Sequence, residues 1–117
     1  MTQQLPMFVF GTLRYGESNH FLLEERYDKR LTAQLSGYSR VQSDLGFLMI
    51  DRKEDEQVSG ELYFLTDERY DQTMTELDEL EMLPPGELIG EWYQRITVTV
   101  STPEGDFTAW AYVKPQS

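Results

Sequence analysis

A chain of 117 residues with 39% hydrophobic and 13% aromatic side chains can bury one core but not two, and is too apolar to stay disordered. Its 21 acidic residues against 10 basic ones give a formal net charge of −11, a surface that repels phosphate backbones and anionic membrane faces and argues against nucleic acid or a membrane as partner. Cysteine is absent, which excludes disulfides, thiol nucleophiles and thiolate metal sites and fits a reducing cytoplasm. The opening MTQQLPMFVFGTLRYG is neither basic nor apolar for long enough to act as a signal peptide, and no stretch reaches the length of a membrane span. The expectation is a single cytoplasmic domain over residues 1–117, a monomer or weak homodimer.

Met7 to Phe10 is a short apolar run ending at Gly11 and reads as a buried strand feeding a tight turn. Asn19 to Asp28, with Phe21, Leu22, Leu23 and Tyr27, reads as a short helix capped by Asn19. Thr32 to Arg40 and Phe47 to Ile50 read as strands, with the polar run Asp51 to Gln57 turning the chain into a further strand, Val58 to Leu65. Gly60 within that strand signals a bulge or a close backbone approach.

The segment Thr66 to Glu81 carries the repeat of a helix, with Thr66 at its N-cap and Asp67 and Glu68 in the favoured first turn. Tyr70, Met74, Leu77 and Glu81 fall at successive spacings of four, three and four along one face. Glu81 therefore stands where leucine is expected, and an inward carboxylate is costly unless it is paired, protonated or used. The alternative is that the helix frays near Glu81 and its side chain reaches solvent.

Met82 to Trp92 holds Pro84, Pro85, Gly86 and Gly90 and cannot be regular structure. Tyr93 to Val100 alternates, with Ile96, Val98 and Val100 on one face, and a turn at Pro103 to Asp106 returns the chain into Phe107 to Val113 as an antiparallel hairpin. Many strands and two helical patches predict an α+β domain built on a small curved or closed mixed β-barrel with flanking helices.

His20 is the only histidine, so one imidazole without cysteine cannot assemble a zinc site, and no nucleophile-elbow pattern surrounds any serine. No spaced Asp/Asn loop suited to calcium is present. What remains is carboxylate acid–base chemistry beside the Phe10-Gly11-Thr12-Leu13-Arg14 loop, whose backbone amides could grip a small anion; an ordinary strand-to-loop turn is the plainer account of that loop alone.

The run Phe8-Val9-Phe10-Gly11-Thr12-Leu13-Arg14, followed by Gly16 and Asn19-His20, resembles the opening signature of the gamma-glutamylcyclotransferase-like family. Val58-Ser59-Gly60-Glu61-Leu62-Tyr63, Leu77-Asp78-Glu79-Leu80-Glu81 and Tyr93-Gln94-Arg95 with Val98 resemble three further blocks of that family in the same order, so the likeness runs from Phe8 to Val113. It implies a small β-barrel with flanking helices and an enzyme that uses no metal or cofactor. It also implies the reaction: the α-amine of a γ-glutamyl compound attacks its own side-chain carbonyl, releasing 5-oxoproline and a free amine or amino acid. The family's catalytic glutamate falls on Glu81. Phe10, Gly11, Thr12, Leu13 and Tyr93 fall at substrate-binding positions, and Tyr93 is equally readable as a core aromatic. The chain departs from the family at Phe10, where tyrosine is usual, and in the long Met82 to Trp92 connection, expected to form a rim over the pocket. Arg14 and Arg95 read as structural ion-pair or hydrogen-bond partners. Two other functions stay open: a module that binds γ-glutamyl metabolites without turnover, and an amidase that uses water and releases glutamate.

Overall fold

The computed structural model describes residues 4–11, 13–17, 20–42 and 48–115. Five strands, β1 (Met7–Val9), β2 (Tyr27–Gln42), β3 (Leu48–Leu65), β4 (Gln94–Thr102) and β5 (Gly105–Val113), close into a barrel in the order β1, β3, β2, β4, β5. Neighbours are antiparallel except β1 and β5, which run parallel where Met7 meets Trp110 and seal the barrel. One helix, α1 (Tyr70–Leu80), crosses between β3 and β4. No helix among the described residues is long and apolar enough to span a membrane.

Strand alternation divides the apolar residues into two cores. The inward set, including Phe8, Leu35, Leu62, Val100 and Val113, comes from all five strands and fills the barrel. The outward set, including Met7, Tyr63 and Tyr112, is covered by Tyr70, Met74 and Leu77 of α1, the helical stripe read from the sequence. Leu77 is completely buried and anchors that second core, where truncation to alanine costs about 2–5 kcal/mol.

Several boundaries differ from the sequence reading. β3 is continuous through the polar run, because Asp51 and Arg52 still pair with Ser39 and Tyr38, and Gln57 with Ser36. Residues 53–56 bulge out opposite Gly37 instead of turning the chain, with Asp55 in the left-handed region at φ +70°. Phe47 lies outside the described residues, as do Thr12 and Asn19. The helix expected over Asn19 to Asp28 is a single 3-10 turn, His20–Leu22, and Tyr27 and Asp28 already belong to β2. Successive amide-to-carbonyl bonds from Arg14 to Gly11, Glu17 to Arg14, His20 to Glu17, Leu23 to His20 and Arg26 to Leu23 make this stretch a string of tight turns. The main helix also starts later than expected. The Thr66 amide is bonded to the Arg26 carbonyl at 2.8 Å, which keeps Thr66 extended, and a 3-10 turn over Asp67–Arg69 is needed before α1 begins. The Thr66 side chain forms no capping bond.

Helix α1 ends in a closed motif with Glu81 at the C-cap. The Met82 amide donates to the Glu79 carbonyl at 3.0 Å and the Leu83 amide to the Asp78 carbonyl at 2.9 Å, with Met82 left-handed at φ +59°. This is the Schellman pattern, in which glycine normally occupies the left-handed position. The helix does not fray at Glu81.

Two substitutions test these packing and strain arguments. A Cβ on Gly60 would sit 2.3 Å from the Val9 carbonyl oxygen and 2.9 Å from the Phe8 ring, so Gly60→Ala forces β1 off β3. It should cost about 2–3 kcal/mol, a fall in melting temperature of roughly 8–12 °C. Met82→Gly relieves the left-handed strain and should raise stability by about 0.5–1 kcal/mol. Thermal melts check both, and a Gly60→Ala protein as stable as the parent would show that β1 and β3 do not approach this closely.

Candidate active site

The strand register brings the sequence candidates to one end of the barrel. Because β1 and β5 run parallel, the loop after Val9 leaves the sheet at the end where β5 finishes at Val113. β4 is antiparallel to β5 and pairs Gln94 with Val113, so Tyr93 lies at that same end. The last turn of α1 is clasped there as well, since Asp78 meets Arg95 and Tyr112. Leu13 and Tyr93 share a buried cluster with Leu77 and Leu83, which flank Glu81 in sequence.

Glu81 is partly buried. Desolvation, reinforced by the negative charge of Asp78 one helical turn earlier, pushes its carboxyl up to about 7. The helix supplies no relief, since its C-terminus carries the negative end of the macrodipole and its last turn holds no basic residue. Burial, followed by the Glu81 charge, likewise pushes the Tyr93 hydroxyl up to about 12, so Tyr93 remains a protonated donor at neutral pH.

Asp78 was not singled out by the sequence reading, yet it organises this end of the helix. Its Oδ1 accepts from the Tyr112 hydroxyl at 2.6 Å, and its Oδ2 accepts from Arg95 Nη2 at 3.2 Å. Arg95 Nε also lies 2.9 Å from Oδ1 but is not aimed at it, so that contact is ionic. The Arg95 guanidinium stacks 4.4 Å over the Trp110 ring, whose Nε1 donates to the Tyr70 hydroxyl, which in turn donates to the Leu5 carbonyl. Arg95 thus has the structural partners expected of it. The signal for Asp78 was its position three residues before Glu81, but only the strand pairing reveals its partners.

The loop is a turn in which the Gly11 carbonyl receives the Arg14 amide at 3.1 Å and Arg14 Nε at 3.2 Å. Arg14 is therefore bonded within its own turn. The amides of Gly11 and Leu13 take no part in these turn bonds. Phe10 turns into the barrel interior and packs with the inward core, on the other side of β1 from Leu13 and Tyr93. The Met82 to Trp92 connection folds back on β4, the Gly90 amide bonding the Tyr93 carbonyl at 2.8 Å and the Arg95 amide the Leu88 carbonyl at 2.8 Å. It exposes Met82, Leu88 and Ile89.

A sequence model of the family described as gamma-glutamyl cyclotransferase, AIG2-like, matches residues 7–117. The gamma-L-glutamyl-butirosin B gamma-glutamyl cyclotransferase of Niallia circulans is 34% identical over 110 residues, which cover 92% of this chain and 65% of that protein. A Vibrio cholerae protein provisionally named a gamma-glutamylcyclotransferase is 37% identical over 112 residues, covering 92% of this chain and 79% of the relative. Among solved structures, YkqA from Bacillus subtilis shares the fold with a TM-score of 0.71 at 23% identity, over 97% of this chain and 36% of that one. The chain thus spans about two thirds of the Niallia relative and about a third of YkqA. From the match over nearly its whole length, the chain belongs to the AIG2-like gamma-glutamyl cyclotransferase family.

Proposed function

We propose that the protein is a cytoplasmic γ-glutamyl cyclotransferase that releases 5-oxoproline and a free amine or amino acid from a γ-glutamyl compound, with Glu81 as general acid and base. The observation that carries this reading is the partly buried Glu81 carboxyl, set at a locked helix end and poised near neutral pH. A substrate's α-amine is an ammonium in water and cannot attack until it loses a proton. Ionised Glu81 takes a proton from that ammonium and the freed amine nitrogen bonds the side-chain carbonyl carbon; as the bond from that carbon to the leaving nitrogen breaks, the carboxyl gives its proton to the leaving nitrogen and the ring nitrogen loses its second proton to water. Holding amine against carbonyl supplies much of the remaining rate through proximity. The amides of Gly11, Thr12 and Leu13 are proposed to hold the glutamyl head, and the Tyr93 hydroxyl to donate to the substrate. Phe10 is assigned to the site through its backbone, since its ring faces the barrel interior. The rim from Met82 to Trp92 is assigned to the leaving group, and the substrate is the only partner proposed for what we treat as one domain.

Incubating the protein with a panel of γ-glutamyl amines and peptides and identifying products by mass spectrometry tests the reaction directly. 5-Oxoproline is expected; saturable binding without it indicates a binding module, and free glutamate indicates hydrolysis by water.

Glu81→Gln keeps size and hydrogen bonding but removes the base, so turnover should fall on the order of 10²-fold or more. Stability should move the other way. The folded carboxyl at about 7 lies above its ordinary 4.5, so between those values the folded chain binds more protons than the unfolded one and stability falls as pH rises. At pH 8 the substitution should therefore gain on the order of 2–3 kcal/mol, and below about pH 4 almost nothing. Melting curves at both pH values, paired with 5-oxoproline assays, check this. A loss of stability at pH 8 with activity kept within a few-fold would make Glu81 a structural charge.

The acid limb of kcat/KM, which reports the free enzyme, should have its midpoint near 7. A midpoint between 4 and 5 would mean that Glu81 is solvated and not poised.

A further inference from the structure

The backbone at Phe10, Leu13 and Tyr15 is bonded by side chains from farther along the chain, and the reaction scheme above uses none of them. His20 is buried, and its Nδ1 lies 3.0 Å from the Leu13 carbonyl. A carbonyl only accepts, so Nδ1 carries the hydrogen and donates it. The imidazole is held in that orientation by rings on three sides, with Tyr15, Tyr27 and Tyr63 at centroid distances of 5.3, 6.2 and 5.7 Å. Two residues after Leu13 the Tyr15 amide donates to Glu61 Oε1 at 2.7 Å. The Tyr63 hydroxyl donates to the same oxygen at 2.8 Å, and burial together with this bond raises the hydroxyl's pKa, so it stays protonated. On the other flank Arg40 donates to the Phe10 carbonyl at 3.3 Å and to the Ser59 carbonyl at 2.7 Å.

A string of tight turns has no ladder of its own to fix it, so these few bonds decide which way the backbone of the loop faces. Glu61 pairs directly with Val9 across β1 and β3, which roots its contact in the barrel wall. We infer that His20 and Glu61 are positioning residues, holding the Leu13 carbonyl and the Tyr15 amide so that the backbone at Gly11 and Leu13 is set to receive the γ-glutamyl head of the substrate. This rests on the function proposed above. It assigns to the Asn-His end of the opening run and to the Gly-Glu pair of β3 one shared task, although they stand about forty residues apart in sequence.

The test exploits the two ring nitrogens. His20→Asn places an amide N–H at about the position of Nδ1, whereas His20→Gln reaches toward Nε2 and leaves the Leu13 carbonyl without its donor. Glu61→Gln keeps the oxygen that accepts from Tyr15 and Tyr63, and Glu61→Leu does not. For the best substrate of the panel, His20→Gln and Glu61→Leu should raise KM roughly tenfold or more, with kcat changed only a few-fold, while His20→Asn and Glu61→Gln stay within about threefold of the parent. The Kd for L-5-oxoproline, read by NMR titration on folded protein, should follow the same order without depending on turnover. Should Glu61→Leu fail to fold, the His20→Asn and His20→Gln pair alone decides. Equal KM and Kd for Asn and Gln, or an effect confined to melting temperature, would overturn the positioning role. A parent that binds L-5-oxoproline but releases none from any γ-glutamyl compound would overturn the cyclisation reading instead, and leave the comparison of Kd values standing.

Discussion

The clasp between Asp78 and its two partners is the interaction that fixes the end of α1 where Glu81 stands. The last turn of α1 carries Asp78, Glu79 and Glu81 at the negative end of the helix dipole, with no basic residue of its own to offset them. Left alone, such an end repels itself and frays. Arg95 on β4 and Tyr112 on β5 both reach Asp78, so the acidic turn is tied to two adjacent strands of the closed barrel. The exchange is unequal. Asp78 engages both of its oxygens, whereas the desolvated Glu81 stays under Asp78's charge. Two carboxylates one helical turn apart are thereby placed in different environments, one engaged as an anchor and the other with its carboxyl pushed up to about 7, the kind of separation that marks acid–base assignments in enzymes generally.

The barrel contributes rigidity. Its interior is lined by apolar side chains from every strand. The functional candidates gather at one end, where β1 has just ended, β4 has not yet begun and α1 closes. Gly60 serves the same closure: a Cβ there would sit 2.3 Å from the Val9 carbonyl oxygen, so the bare position lets the last residue of β1 lie against β3.

Periodicity made much of this legible. The inward face of β4, the hairpin into β5 and the stripe Tyr70, Met74, Leu77 follow from spacing alone, and so does the anomaly of a glutamate in line with that stripe. Three features did not follow. The polar run in β3 has the composition of a turn, yet its flanking residues find partners on β2, and pairing between segments is decided by register that local composition does not encode. The apolar residues near Leu22 suggested a helix, but the main chain there is drawn into tight turns. The contacts of Asp78 with Tyr112 and of Glu61 with the Tyr15 amide join residues far apart in sequence, and local spacing gives no sign of either pairing.

Two unfavourable features sit side by side at the end of α1. Glu81 is a partly buried carboxyl with no cation paired to it among the described residues, and Met82 is a side-chain-bearing residue in a conformation suited to glycine. Neither is required to close a helix, since a leucine at 81 and a glycine at 82 would cap α1 at lower cost in free energy. Together they fix a desolvated carboxyl at a set backbone position and start the connection that folds back toward Tyr93. Two local choices that run against stability side by side are what a functional site is expected to require.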